Sequence, residues 1–206
     1  SSNPTDEEFV SKVLSEAKDL SRYLKENNFE YGTPDYIPAK SDGTTTEDGK
    51  KKISADRYVS WVLYKAACTD QPEEGLTTGK DGSFIGYCEG KEWTEVKSVD
   101  LVQAGDIVFT GKIDGAPKAA QNVFICAGDG QRYECTSQDQ IKNGDQQPVK
   151  KDIGSDFVCA YRVTGDGVIN TGFKEGIDVT AMGNGKITEI FDDNNNIFSD
   201  ETLAKR

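Results

Sequence analysis

An α+β architecture, with helices first and an antiparallel sheet afterwards, is the fold class this sequence predicts, on three observations. Apolar residues recur at helical spacing within the first 66 residues, and four short runs rich in β-branched and aromatic residues follow from residue 106 onward. Nowhere do strand and helix patterns alternate as a parallel doubly wound sheet requires.

Thr5-Asp6-Glu7-Glu8 has the form of a capping box. Phe9, Val10, Val13, Leu14, Ala17, Leu20 and Leu24 then recur three and four residues apart, which predicts an amphipathic helix ending near Asn27-Asn28. From Tyr31 to Gly49 the chain is rich in Gly, Pro, Thr and Asp, and a loop of that length inside a compact domain is more often functional or mobile than structural. Lys50 to Lys52 lead out of it as a solvated basic run. A second helix follows, with Ser54 as its N-cap, Asp56 in its first turn, and Tyr58, Val59, Val62, Leu63 and Ala66 as its apolar stripe, stopping before Thr69-Asp70-Gln71-Pro72. Gly75 to Gly90 reads as a Gly-rich connector. Strands are expected at Asp106–Thr110, Asn122–Ala127, Gln131–Cys135 and Phe157–Val163, with Gly128-Asp129-Gly130 as a hairpin loop between the middle two. After Val163 a linker, Thr164-Gly165-Asp166-Gly167, leads to two further strand-like pieces around Ile177 and Ile187. The expected organisation is one domain over 5–163 and a small β-rich extension over 164–206, the start of a further domain in one reading.

At 206 residues the chain can bury a core without a disulfide framework. Its five cysteines are odd in number and form no C-x-x-C pair, and Cys126 and Cys159 sit inside apolar runs, so buried free thiols are expected. A net charge of −12 opposes a nucleic-acid partner, whose phosphates would meet a field of their own sign. No run approaches the roughly 20 apolar residues that span a bilayer, so no transmembrane segment is expected.

Chemistry concentrates at Ser54-Ala55-Asp56-Arg57-Tyr58-Val59-Ser60-Trp61, in a chain with no histidine. This stretch resembles the start of the nucleophile helix in the NlpC/P60 family of papain-like cysteine peptidases, which cut peptide stems of bacterial cell walls, with Ala55 standing where the cysteine belongs. Gly105-Asp106-Ile107-Val108-Phe109 and Asn122-Val123-Phe124-Ile125 resemble the family's next two motifs, over about residues 8 to 163. The resemblance implies that Asn122 occupies the position of the base histidine and that Glu134, twelve residues on, takes that of the residue orienting it. With a three-residue hairpin loop Glu134 falls on the same sheet face as Asn122, unless a bulge intervenes. Tyr31-Gly32 resembles the family's pocket-lining tyrosine, Asp56 follows the nucleophile position as usual there, and Arg57 departs from the common serine. A thiolate at a helix N-terminus has a lowered pKa and needs a base to move the proton; with neither thiol nor imidazole, the triad as it stands is not competent.

The resemblance therefore implies a papain-like fold and a protein that is extracellular or cell-wall-associated. Its cleft around Tyr31, Asp56, Arg57 and Trp61 would hold a peptidoglycan-type peptide or a protein partner without cutting it. Two alternatives stand beside this: a cysteine endopeptidase of stem peptides, weakly active or inactivated by an introduced alanine, and a structural module of a larger surface protein. Tyr31 and Trp61 have a second reading as core aromatics. No cofactor and no metal are expected. Lys174-Glu175-Gly176-Ile177-Asp178 faintly resembles the zinc motif of LytM-type metallopeptidases, but lysine replaces its histidine. Asp192 to Asn196 lacks the glycine of a calcium loop, because Ile197 holds that place.

Overall fold

The computed structural model describes residues 4–33, 51–66, 76–80, 82–144 and 148–164. The chain divides into two units, and all of these residues belong to the one formed by Ser1–Ile37 and Gly43–Gly165. The loop tip after Thr33, the expected β-rich extension, and the Lys174 and Asp192 motifs lie outside the described residues.

Helix α1 spans Pro4–Glu26, two residues earlier than the capping-box pattern with Thr5 as N-cap implies. Proline explains this, since its fixed φ suits the first helical position and its missing N–H is not needed there. Phe9, Val13, Ala17, Leu20 and Leu24 are buried as one stripe. The helix ends where expected: Asn28 takes a left-handed φ of 56°, and the Phe29 N–H donates back to the Leu24 carbonyl at 3.1 Å, the pattern of a Schellman cap. That cap turns Phe29 into the core and delivers the two-residue strand β1, Glu30–Tyr31. Strand β2, Lys52–Ile53, pairs with β1 in parallel, placing Tyr31 opposite Ile53.

One residue later, helix α2 begins and runs over Ala55–Lys65. Tyr58, Val59, Val62 and Leu63 are buried, and the Tyr58 hydroxyl donates to Ala17 O at 3.1 Å while lying 2.8 Å from Ser21 Oγ, which locks α2 to α1. Within the expected connector the structure has instead a helix, α3, at Phe84–Gly90. Its two glycines make it a poor helix by propensity, and burial of Phe84, Ile85 and Cys88 against the sheet overrides that.

Six strands form one antiparallel sheet: β3 (Thr94–Val96), β4 (Ile107–Thr110), β5 (Asn122–Gly128), β6 (Gln131–Tyr133), β7 (Val149–Lys150) and β8 (Phe157–Arg162), in the order β3-β8-β4-β5-β6-β7. The four expected strands are present, and β3 and β7 add the two edges. The β5–β6 hairpin turns through Asp129 and Gly130, both at positive φ, as a two-residue turn of the kind whose twist suits a hairpin, with a register shift between Cys126 and Gly128. A short helix, α4, spans Gln138–Lys142 between β6 and β7.

Alternation gives the sheet two apolar faces. One carries Phe109, Val123, Ile125 and Tyr161, and Phe84 of α3 meets Phe109 edge to face at 5.4 Å. The other carries Val96, Val108, Phe124, Cys126 and Ala160, covered by Val102, Ile153 and Phe157. A half-buried clasp ties the residue before β4 to the end of β8: Arg162 Nε and Nη2 donate to the two oxygens of buried Asp106, each at 2.8 Å. The architecture is α+β with an antiparallel sheet.

Candidate functional site

Position 55 is the first residue of α2, as the motif places it, and Ala55 is buried at 8% exposure. Ser54 holds the N-cap position with extended backbone, but its hydroxyl makes no capping bond and donates instead to Asp56 Oδ1. Asp56 is thereby the organiser of the helix start. Its Oδ1 also accepts from the Arg57 N–H at 2.9 Å, and its Oδ2 accepts from the Thr78 N–H at 3.2 Å. A carboxylate in the first turn stabilises the helix through the free N–H groups there and the helix dipole.

Thr78 extends that network toward the sheet. Its carbonyl accepts from the Ala120 N–H at 2.8 Å, so one peptide segment links the start of α2 to the chain two residues before β5. Asn122 opens β5, pairs with Thr110, and turns its Oδ1 onto its own neighbour, the Val123 N–H, at 3.0 Å. By alternation it lies on the sheet face of Phe124, not on that of Val123.

Glu134 follows β6 and is buried. The pairing of Cys126 with Arg132 puts Arg132, and two residues on Glu134, on the same face as Asn122; with a two-residue turn in place of the expected three-residue loop, it is the bulge that brings this about. Glu134 already has partners: Arg132 Nη1 at 3.4 Å, Gln140 Nε2 at 2.7 Å and Lys151 Nζ at 3.9 Å. The Arg132 guanidinium also stacks 3.7 Å from the Phe124 ring and donates to the carbonyls of Lys151 and Asp152. Among the described residues no hydrogen bond joins Glu134 to Asn122.

Of the four cleft residues, Tyr31 is exposed at 40% and Asp56 is half-buried. Partial burial raises the Tyr31 phenol above the ordinary value and the Asp56 carboxylate adds to this, while the Tyr31 backbone pairs with Ile53, two residues before α2 begins. Arg57 and Trp61 are buried in α2, and Trp61 meets Tyr64 edge to face at 5.7 Å.

Two glutamines that the sequence reading passed over fasten this corner. Gln140 Oε1 accepts from both the N–H and the hydroxyl of Thr136 while its Nε2 holds Glu134. Gln138 accepts from the Tyr31 N–H at 2.7 Å and donates to Phe29 O at 3.1 Å. The pattern Ser137-x-x-Gln140 was the available signal, since Ser137 Oγ caps α4 by accepting from the Gln140 N–H at 3.2 Å.

Cys88, Cys126, Cys135 and Cys159 are free and buried. Burial pushes the Cys135 thiol up to about 12, and the neighbouring Glu134 charge reinforces this. Cys159 is likewise pushed up to about 12, mainly by burial. Such thiols stay protonated and poorly nucleophilic at neutral pH. Among the described residues, no group of three or more Cys, Asp or Glu side chains is placed to hold a metal ion, and no helix is long and apolar enough to cross a membrane. No protein-family model matches this chain, and none of the curated proteins matches it in sequence.

Proposed function

We propose that the corner formed by the α2 N-terminus, Tyr31 and the start of β5 is a peptide-recognition site of NlpC/P60 type that binds without cleaving, acting on stem peptides at or near a bacterial cell wall. The supporting observation is Ala55. It stands at the first position of a helix whose start is held by the Asp56 carboxylate, in a chain that has no imidazole to act as base. Tyr31 supplies an amphipathic ring, and the first-turn N–H groups of α2 supply donors for a carboxylate or carbonyl of the ligand.

The test is titration of a synthetic stem peptide containing a γ-glutamyl-diamino acid bond, followed by calorimetry, with mass spectrometry of the same mixtures. The expected outcome is saturable binding in the micromolar to millimolar range, roughly 4 to 8 kcal/mol, abolished by Tyr31→Ala and without product. Absence of binding, or time-dependent hydrolysis by the protein with Ala55, would overturn the reading.

A further inference from the structure

The two-residue strand β1 has two edges. Toward β2, the Glu30 N–H donates to Lys51 O at 2.9 Å and the Gly32 N–H to Ile53 O at 3.0 Å. The opposite edge presents the Phe29 carbonyl and the Tyr31 N–H, groups that a third strand would pair. Gln138 meets both with one carboxamide, at 3.1 and 2.7 Å, its donor and acceptor taking the parts that the N–H and C=O of one residue on a third strand would take. The glutamine is anchored in its turn, because α4 is capped by Ser137 and bound through Gln140 to Thr136 and Glu134.

We propose that Gln138 is a positioning residue for the recognition site: its side-chain amide stands in for a missing third strand on β1 and holds the exposed Tyr31 ring beside the α2 N-terminus. A two-residue parallel pair alone is too short to fix a side chain, since isolated two-stranded pairings are marginal in water. The clamp fixes the backbone of a residue that is 40% exposed and that pairs with Ile53, two residues before α2 begins. In its consequence for ligand binding this inference rests on the recognition reading above; in its structural content it does not.

The experiment compares the full chain with its Gln138→Ala and Gln138→Met variants by residue-resolved amide hydrogen exchange and by pH titration of ring-labelled tyrosine, Tyr31 being assigned with Tyr31→Phe. Methionine keeps the length of the side chain and removes both hydrogen bonds. Expected in both variants is selective loss of protection at the Tyr31 amide, with the Glu30 and Gly32 amides still protected, and a fall of the Tyr31 phenol toward its ordinary value. Unchanged Tyr31 exchange and titration would overturn the proposal, as would equal loss at all three amides, which would mean that Gln138 merely holds the fold. With the stem peptide, about tenfold weaker binding is expected from the loss of two hydrogen bonds, whereas tighter binding would mean that Gln138 plugs the edge. If the wild-type chain binds no stem peptide, the recognition reading fails while the exchange and titration results still decide the role of Gln138.

Discussion

A thiol introduced at residue 55 would stand at the start of a helix, whereas Cys88, Cys126, Cys135 and Cys159 are buried and their thiols are raised by burial. Ala55→Cys is therefore expected to alkylate with iodoacetamide faster than those four under native conditions, as read by peptide mass spectrometry; equal labelling would show that the helix start does not activate it. Alkylation needs only a thiolate, but peptide hydrolysis also needs a proton for the leaving amine. Ala55→Cys with Asn122→His should then cleave a stem peptide about 10² to 10⁴ times faster than Ala55→Cys alone. Equal rates would remove Asn122 from the base position. Glu134 limits the gain, because Arg132 and Gln140 already engage its carboxylate and an imidazole at 122 would compete with them. Of these residues, position 55 was legible, since a cap followed by an amphipathic stripe fixes where a helix starts. The shared face of Asn122 and Glu134 was expected from a three-residue loop, whereas the structure reaches it through a two-residue turn and a bulge between Cys126 and Gly128. The partners of Glu134 were not legible, because Arg132, Gln140 and Lys151 reach it from three elements whose meeting depends on tertiary structure.

Long periodic elements could be read directly: α1, α2 and the four central strands announce themselves through spacing. The segment before α3 could not, because its shape comes from close backbone approach and not from pattern. Thr77 O there accepts from the N–H groups of both Ser83 and Phe84, and a Cβ on Gly82 would lie 2.3 Å from that oxygen. Gly82→Ala should therefore displace the loop carrying Thr78, cost about 1 to 3 kcal/mol in denaturant unfolding, and weaken stem-peptide binding. A Gly82→Ala protein of unchanged stability would mean that the loop adjusts freely. At the turn after β4, Gly111 combines a φ of 84° with a Cβ position 2.6 Å from Gln121 Cβ, so Gly111→Ala is expected to cost about 2 kcal/mol or more and to disturb the start of β5. The edge strands β3 and β7 escaped the sequence for another reason: two or three residues carry too little alternation to separate from a loop.

For the molecule as a whole, the buried thiols and phenols set a pH limit. Burial raises Cys135 and Cys159 to about 12, and it also raises Cys88, Cys126, Tyr58, Tyr133 and Tyr161. Above pH 9 the unfolded chain releases these protons while the folded chain keeps them, so stability is fully present below that pH and falls as pH rises from 9 toward 12. Each group titrating only in the unfolded state adds a slope of about 1.4 kcal/mol per pH unit. Urea midpoints measured from pH 7 to 11 should hold steady and then drop steeply; a flat profile to pH 11 would show that the thiols and phenols are accessible. Thr78 gives the molecule a different property. Its N–H donates to the Asp56 carboxylate and its carbonyl accepts from the Ala120 amide, so a shift of either bond displaces the other through one residue. The Ala120 amide is thus a built-in listening post for the helix start: a guest docking beside Asp56, or the Asp56→Ala change, should move the Ala120 resonance in a nitrogen–proton spectrum without touching that residue.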